Sequence, residues 1–419
     1  MSRTYDVQKT DQAILLLESA EIDPWHVREM KELAHSAKVK IVGEFISRTR
    51  RRTGQGFISE DRRQELALLV PELDANVILV AHDLSPTQHS LIQKATEVRV
   101  VDRTQLILDI FAQRAHTREG KLQVEHALLS YTLPRLSGLG SQMSRLGGGV
   151  GTRGPGETKL ETDRRRLRKR IESLASEIDT IKKHREVARA SRHGLTYPNI
   201  ALVGYTSAGK STLLNTLSGS SVMADQMLFS TLDPTTRKVA LADGWSALIT
   251  DTVGFIRDLP HALVAAFRAT LEEVREADIL LHLVDASHPS VFEMIESVES
   301  TLEELEASEK PTILVFNKAD LVADTYWLRE EVAKRPNSCY ISAQKGQGIR
   351  ELMVILEHAV EGMLHPICAL VPYSRSDLVS GCYEHGRVLN ADYQDDGIYL
   401  EAEVDGMYLG KLSSYILSK

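Results

Sequence analysis

The sequence predicts an α/β protein in four stretches. Residues 1–120 read as an N-terminal βαβ-type domain, 121–196 as an antiparallel helical arm, 197–365 as a central domain with a mixed, mostly parallel sheet, and 366–419 as a small α+β domain. Three observations carry that prediction. Short apolar runs alternate with amphipathic stretches at the start; two heptad-spaced seams flank a glycine-rich segment; and a glycine-rich octet then sits between an apolar run and a helix start. Alternation of this kind implies strands joined by crossover helices, hence a largely parallel sheet.

In the N-terminal stretch, Ile14 to Leu17 reads as a strand and Pro24 to Ala37 as an amphipathic helix. Val39 to Phe45 is a second strand, Glu60 to Val70 a helix, and Asn76 to Val80 a third strand. A helix from Pro86 to Thr96 leads to Val98–Val101. Arg48, Arg50, Arg51 and Arg52 cluster in a loop, as a solvated surface or as a phosphate contact. Nothing in this stretch groups residues for catalysis.

The arm follows from heptad spacing. Leu160, Leu167, Ile171, Leu174, Ile178 and Ile181 lie seven, four, three, four and three apart, an a/d seam that requires a partner helix. Leu122, Leu129, Leu133 and Leu136 supply one, and Pro134 marks a kink or its end. The loop between them, residues 137–157, is rich in glycine and would form the tip of the hairpin. Arg164, Arg165, Arg166, Arg168, Lys169 and Arg170 open the second helix, and Arg153 lies in the tip loop. A solvated helix face explains many charge runs. In an acidic chain, positive charge gathered on one arm beside a Gly/Arg loop favours RNA phosphates instead. No aromatic stacking pair accompanies it, so such contact would read shape rather than sequence.

The whole chain bounds the function. Its 419 residues suit two to four domains, and 42% hydrophobic with 26% charged residues is ordinary for folded protein. Ile279 to Val284 is a core strand, well short of a membrane span. The opening MSRTYDVQKTDQ lacks the basic-then-apolar order of a signal peptide. Cys339, Cys368 and Cys382 are too few and scattered for a disulfide framework or a zinc site, which suits a reducing cytoplasm. A formal charge of −8 argues against a protein that coats nucleic acid with its entire surface, while leaving room for a local basic face.

The octet Gly204-Tyr205-Thr206-Ser207-Ala208-Gly209-Lys210-Ser211 fits the phosphate-binding loop of nucleoside triphosphatases. Its glycines let backbone N–H groups turn toward phosphate at a helix N-terminus. Lys210 would reach the β- and γ-phosphates, and the Ser211 hydroxyl would ligate Mg²⁺. Downstream, Phe229-Ser230-Thr231-Leu232-Asp233 lies in a loop before a hairpin-like pair, Lys238 to Leu241 and Trp245 to Ile249. Thr231 is expected to ligate Mg²⁺ and sense the γ-phosphate, with Thr235 and Thr236 as nearby rivals. Asp251-Thr252-Val253-Gly254 puts a carboxylate near the metal and a glycine N–H near the γ-phosphate. Asn317-Lys318-Ala319-Asp320 follows a buried strand, where the Asp320 carboxylate can accept from guanine N1–H and the 2-amino group. Adenine offers an acceptor at N1, and a site built on such pairing discriminates by roughly 10⁴. Ser342-Ala343-Gln344 supplies a backbone N–H for guanine O6. Five pieces in order, each at a strand end, read as a P-loop GTPase (G) domain.

Beyond Pro366, Ile367–Val371 reads as a strand, Ser374–His385 as a helix, and Arg387–Tyr393 with Gly397–Val404 as a hairpin. No chemistry is visible there. A docking surface and a structural cap are both open.

The chain resembles the HflX family of GTPases. The likeness is carried by Val101-Asp102-Arg103-Thr104-Gln105 and its continuation to Phe111, by Gly120 to Glu125, by Arg153-Gly154-Pro155-Gly156-Glu157-Thr158-Lys159 through Arg165, and by Asp251 to Arg257 with Leu259-Pro260. It is strongest between Leu84 and His358. The resemblance implies a GTP-hydrolysing, Mg²⁺-dependent protein of the cytoplasm, partly ribosome-associated, with no membrane partner and acting as a monomer. It would bind the large (50S) ribosomal subunit and its RNA and split stalled or idle ribosomes. Assistance in ribosome assembly or RNA modification, and a GTP switch on protein partners, are the alternatives. Ser207 stands where many relatives have asparagine, which weakens the case for activation by K⁺. Phe255 stands where Ras-like enzymes carry a water-orienting glutamine; hydrolysis by the free protein is therefore expected to be slow, with the ribosome supplying what is missing.

Overall fold

The computed structural model describes residues 11–18, 23–47, 58–138, 155–190, 197–219, 227–229, 231–241, 246–257, 268–404 and 406–417. By its packing the chain divides into two compact units. One holds residues 1–181 with 225–233 and 258–269, the other residues 182–224, 234–257 and 270–419.

In the first unit, β1 (Gln12–Glu18), β2 (Lys40–Ser47), β3 (Val77–Val80) and β4 (Arg99–Asp102) form a parallel sheet in the order β2-β1-β3-β4. The inner strand β1 is buried from Ala13 to Leu17, as a strand covered on both faces must be. The crossovers are α1 (Pro24–Ser36), α2 (Glu60–Glu72) and α3 (Pro86–Thr96). Each starts behind a side-chain cap, Asp23, Ser59 or Ser85, and Gln88 closes a capping box with Ser85. The alternation read from the sequence is therefore present.

Residues 103–114, read from the sequence only as part of a motif, are a helix, α4 (Arg103–Arg114). The strand turns straight into it because Asp102 serves as its cap, accepting from the Gln105 N–H at 3.0 Å. The same fully buried carboxylate accepts from the Leu84 N–H, the Arg135 guanidinium and the Tyr131 hydroxyl. One acidic side chain thus ties β4, α4 and the base of the arm together.

The arm pairs α5 (Arg118–Thr132) with α6 (Pro155–Ala190). Arg118 meets Glu177 at 3.8 Å and Glu125 meets Arg170 at 2.8 Å, so partner numbers fall as α5 advances. The helices are antiparallel, and Leu174 of the seam is completely buried. The α-helix gives way at Thr132 to a 3-10 turn, Leu133–Gly138, that contains Pro134. Helix α6 begins at Pro155, earlier than the expected loop end at Glu157; proline at a first helical position is already set for the helix. Most of the glycine tip with Arg153, and the arginine cluster at 48–52, lie outside the described residues.

In the second unit, β5 (Asn199–Gly204), β6 (Thr235–Ala240), β7 (Ser246–Asp251), β8 (Ile279–Asp285), β9 (Thr312–Asn317) and β10 (Ser338–Tyr340) form one sheet, ordered β10-β9-β8-β5-β7-β6. Only the β6–β7 pair is antiparallel. Ile200, Leu202, Leu281, Leu283, Ile313 and Val315 fill its core, packed against α7 (Lys210–Ser218) and α11 (Ile349–Glu361) among others. Helices α8 (Arg268–Glu276), α9 (Val291–Glu304) and α10 (Tyr326–Lys334) connect the remaining strands. Strand β6 starts at Thr235, three residues before the expected hairpin, so Thr235 and Thr236 are strand residues. Thr236 Oγ1 is paired with Thr250 Oγ1 at 2.9 Å.

The C-terminal part has a three-stranded antiparallel sheet, β11 (His365–Val371), β13 (Gly397–Val404) and β12 (Gly386–Gln394), in that order. Helix α12 (Ser376–His385) covers it, together with a helix the sequence did not suggest, α13 (Gly406–Leu412). The Tyr408 hydroxyl reaches the Leu378 carbonyl and locks the two helices. Among the described residues no helix is long and apolar enough to cross a membrane.

Candidate nucleotide site

The site gathers at the carboxyl ends of β5, β7, β9 and β10, where an open α/β sheet offers its binding crevice. The octet turns between β5 and α7. Gly209 has φ +95°, and a Cβ there would lie 2.3 Å from Asn317 Nδ2, so glycine is required. Ser207 also takes a left-handed conformation, φ +62°, which asparagine tolerates better than serine. Lys210 is 6% exposed, and its Nζ donates to the Gly204 and Tyr205 carbonyls at 3.0 Å each. Burial pulls its pKa down to about 8. A triphosphate placed beside the ammonium would reverse that penalty, because an opposite charge favours the charged form.

Ser211 Oγ donates to Asp251 Oδ2 at 2.7 Å. A hydroxyl and a carboxylate side by side form the oxygen-only pair that Mg²⁺ prefers. Among the described residues no group of three or more His, Cys, Asp or Glu could hold a metal unaided. Asp251 itself is 2% exposed, and the neighbouring Thr252 hydroxyl bonds the Leu202 carbonyl at 2.6 Å. Val253 and Phe255 are buried. The backbone of 254–257 is laid on the octet by three bonds: Phe255 N–H to Gly204 O at 3.0 Å, Thr206 N–H to Phe255 O at 2.8 Å, and Arg257 N–H to the Tyr205 hydroxyl at 2.8 Å. Sequence reasoning missed this Tyr205 contact, because its partner lies 52 residues away.

The base end is assembled by Asn317. Its Nδ2 donates to the Ala208 carbonyl at 2.8 Å, and its Oδ1 accepts the Ala343 N–H at 3.0 Å. One amide thus joins the phosphate loop to the Ser342-Ala343-Gln344 segment. Lys318, at φ +61°, is paired with Asp285 at 2.7 Å. The Asp320 carboxylate has its pKa lowered, first by a hydrogen bond from Ser342 and then by Lys345, whose Nζ lies 3.3 Å from Oδ2. Asp285 and Lys345 were not singled out from the sequence. An ionised carboxylate held this way can accept two donors from a guanine edge. Gln344 is exposed, whereas Ser342 and Ala343 are buried.

The loop from Phe229 to Asp233 is placed in the other compact unit. Phe229, φ +56°, sets its ring 4.7 Å edge-on to Phe111. The Leu228 N–H donates to Ser36 Oγ at 3.1 Å, and Arg114 reaches Met227. Asp233 accepts from the His116 and Thr117 N–H groups at 3.0 and 2.9 Å and from the Thr117 hydroxyl. A Cβ at Gly120 would fall 2.5 Å from its Oδ1. Leu232 is buried, Thr231 is half-buried, and Ser230 lies outside the described residues. On the arm, Arg165 and Arg166 are exposed and Arg164 is half-buried, with Arg166 3.7 Å from Asp163.

Comparison with known proteins agrees with this geometry. Residues 25–112 match the family model described as GTP-binding GTPase N-terminal, and 114–192 the GTP-binding GTPase Middle Region. Residues 199–318 match the model described as 50S ribosome-binding GTPase, and 327–407 the HflX C-terminal domain. The likeness therefore reaches further toward both ends than the motifs that first suggested it. A GTPase HflX of Caldanaerobacter subterraneus is 42% identical over 97% of this chain and 94% of its own length. That of Escherichia coli K12 is 41% identical over 94% of this chain and 92% of its own. Among solved structures, one described as the SsGBP and GDP complex aligns over 83% of this chain and 98% of that one, at TM-score 0.49 and 24% identity. With identities of 41–42% to the two HflX proteins sustained along nearly all of both sequences, the chain belongs to the GTPase HflX family and is a GTPase.

Proposed function

We propose that this GTPase binds the large ribosomal subunit in its GTP form and separates stalled or idle ribosomes into subunits. The observation that carries the reading is the pairing of two parts in one chain. One is a site whose Asn317 bond to Ala208 ties a triphosphate loop to a guanine-selecting end; the other is a long antiparallel arm with basic residues exposed at the start of α6. The model matching residues 199–318, whose description names 50S ribosome binding, supports it.

In this reading Gly204 to Lys210 cradle the phosphates, and Asp320 with the Ala343 region selects guanine. Ser211 and Thr231 are the residues that would hold Mg²⁺, with Asp251 nearby; when bound, the ion would supply neutralisation of the phosphate charge. The Gly254 N–H reports the γ-phosphate. Phe255 brings no group that can polarise water, so unaided hydrolysis is slow and the ribosome accelerates it. Arg164, Arg165 and Arg166, with Arg153 at the tip, meet ribosomal RNA phosphates. Hydrolysis then releases the factor.

Pelleting with large subunits tests the arm. Replacing Arg164, Arg165 and Arg166 together by glutamine is expected to weaken binding of the GTP-analogue form and to flatten its salt dependence by up to about 3 in log–log slope. Unchanged affinity with an unchanged slope would remove RNA contact from the account.

A further inference from the structure

Thr206 is the third residue of the phosphate loop and 7% exposed, yet its Oγ1 has no hydrogen-bond partner among the described residues. A buried hydroxyl left unpaired costs stability, because it loses its bonds to water and gains none. A loop built to receive a ligand can carry that cost when the ligand supplies the partner.

The position of Thr206 narrows what that partner is. A Cβ on Gly254 would lie 2.7 Å from Thr206 Cα and 2.8 Å from its Cγ2, so the residue rests directly on the glycine of Asp251-Thr252-Val253-Gly254. Its own N–H holds the Phe255 carbonyl, and the Tyr205 hydroxyl holds the Arg257 N–H, so the contact is fixed on both sides. On the other side of the loop, Lys210 turns toward the Gly204 and Tyr205 carbonyls. The side chain at 255 is a phenyl ring, 3% exposed, with nothing to offer a water molecule. The hydroxyl of Thr206 therefore stands where the phosphate loop joins the segment that meets the terminal phosphate.

We propose that Thr206 Oγ1 orients the water that attacks the γ-phosphate of GTP in the slow hydrolysis that the protein carries out unaided. This rests on reading Gly204 to Ser211 as the phosphate loop. A hydroxyl has one donor and two acceptor sites, so it can hold the water through either. The water oxygen bonds to the γ-phosphorus as the bond to the β–γ bridging oxygen breaks. The electron pair leaves on the β-phosphate, and the water proton ends on the released phosphate.

Two variants of the full chain test this: Thr206→Val, of equal shape without the hydroxyl, and Thr206→Ser, which retains it. The readouts are single-turnover GTP hydrolysis and the affinities for GDP and a non-hydrolysable GTP analogue. Thr206→Val is expected to hydrolyse about 10²-fold more slowly with both affinities unchanged, and Thr206→Ser to recover most of the rate. Wild-type hydrolysis by Thr206→Val would overturn the proposal. So would a loss of GTP-analogue affinity matching the loss of rate, since the hydroxyl would then be a ground-state phosphate ligand. A serine variant no faster than the valine one would overturn it too. Wild-type protein unable to bind GDP would overturn the phosphate-loop assignment, and this proposal with it.

Discussion

His282 shows how the site constrains a single side chain. It lies on β8, 2% exposed, and its Nε2 has no partner among the described residues. Burial, and then the charge of Lys210, push its pKa down to about 3. The folded protein therefore keeps it neutral while the unfolded chain takes up a proton near pH 6.5. With a folded pKa below the unfolded one, this histidine costs nothing above pH 6.5 and destabilises as pH falls from there toward 3. The loss is about 1.4 kcal/mol per pH unit, or about 2 kcal/mol between pH 7 and 5. Denaturant titrations should show this loss reduced by that amount in His282→Leu; equal losses in both proteins would mean the histidine is not what titrates. At this scale the sequence was informative wherever chemistry is local. Gly209, Lys210, Ser211 and Asp251 come from consecutive or strand-end positions, and the structure sets Ser211 against Asp251. Tyr205 and Thr206 were read from the sequence only as members of the phosphate-binding octet, with no separate role. Their meaning depends on residues 254–257, which reach them only through the folded sheet.

At the scale of elements, the most consequential finding is the segment from Met227 to Asp233. Its sequence suggested a nucleotide-sensing loop, and it packs against α1, α4 and the start of α5. Asp233 braces the cap of α5: it accepts the N–H groups of His116 and of the capping residue Thr117 with a carboxylate near the positive helix end. Asp233→Ala is expected to cost about 0.5–2 kcal/mol and to expose this segment to a protease. Unchanged stability with unchanged cleavage would show the cap to be incidental. Thr117 caps α5 by accepting the Gly120 N–H, but no reading of the chain pairs it with an aspartate 116 residues on. Strands and helices were legible because their periodicity and caps are short-range, as in the Ser85 box opening α3. Helix α13 was missed because GMYLGKL is short and carries two glycines; only the packing of Tyr408 and Leu412 on the C-terminal sheet holds it.

At the scale of the whole molecule, one chain carries a P-loop GTPase domain and a long antiparallel arm with exposed arginines, and the family to which it belongs covers both. The sequence announced these parts because phosphate cradles and heptad seams leave fixed spacings. It could not announce contacts such as Tyr205 with Arg257 or Asp233 with Thr117, because those are made between residues far apart in the chain. The most direct test of the account is sedimentation of intact ribosomes after incubation with the protein and GTP. The account predicts free subunits with GTP and none with GDP or ATP. Ribosomes that stay joined with GTP, under conditions where the protein binds them, would contradict it.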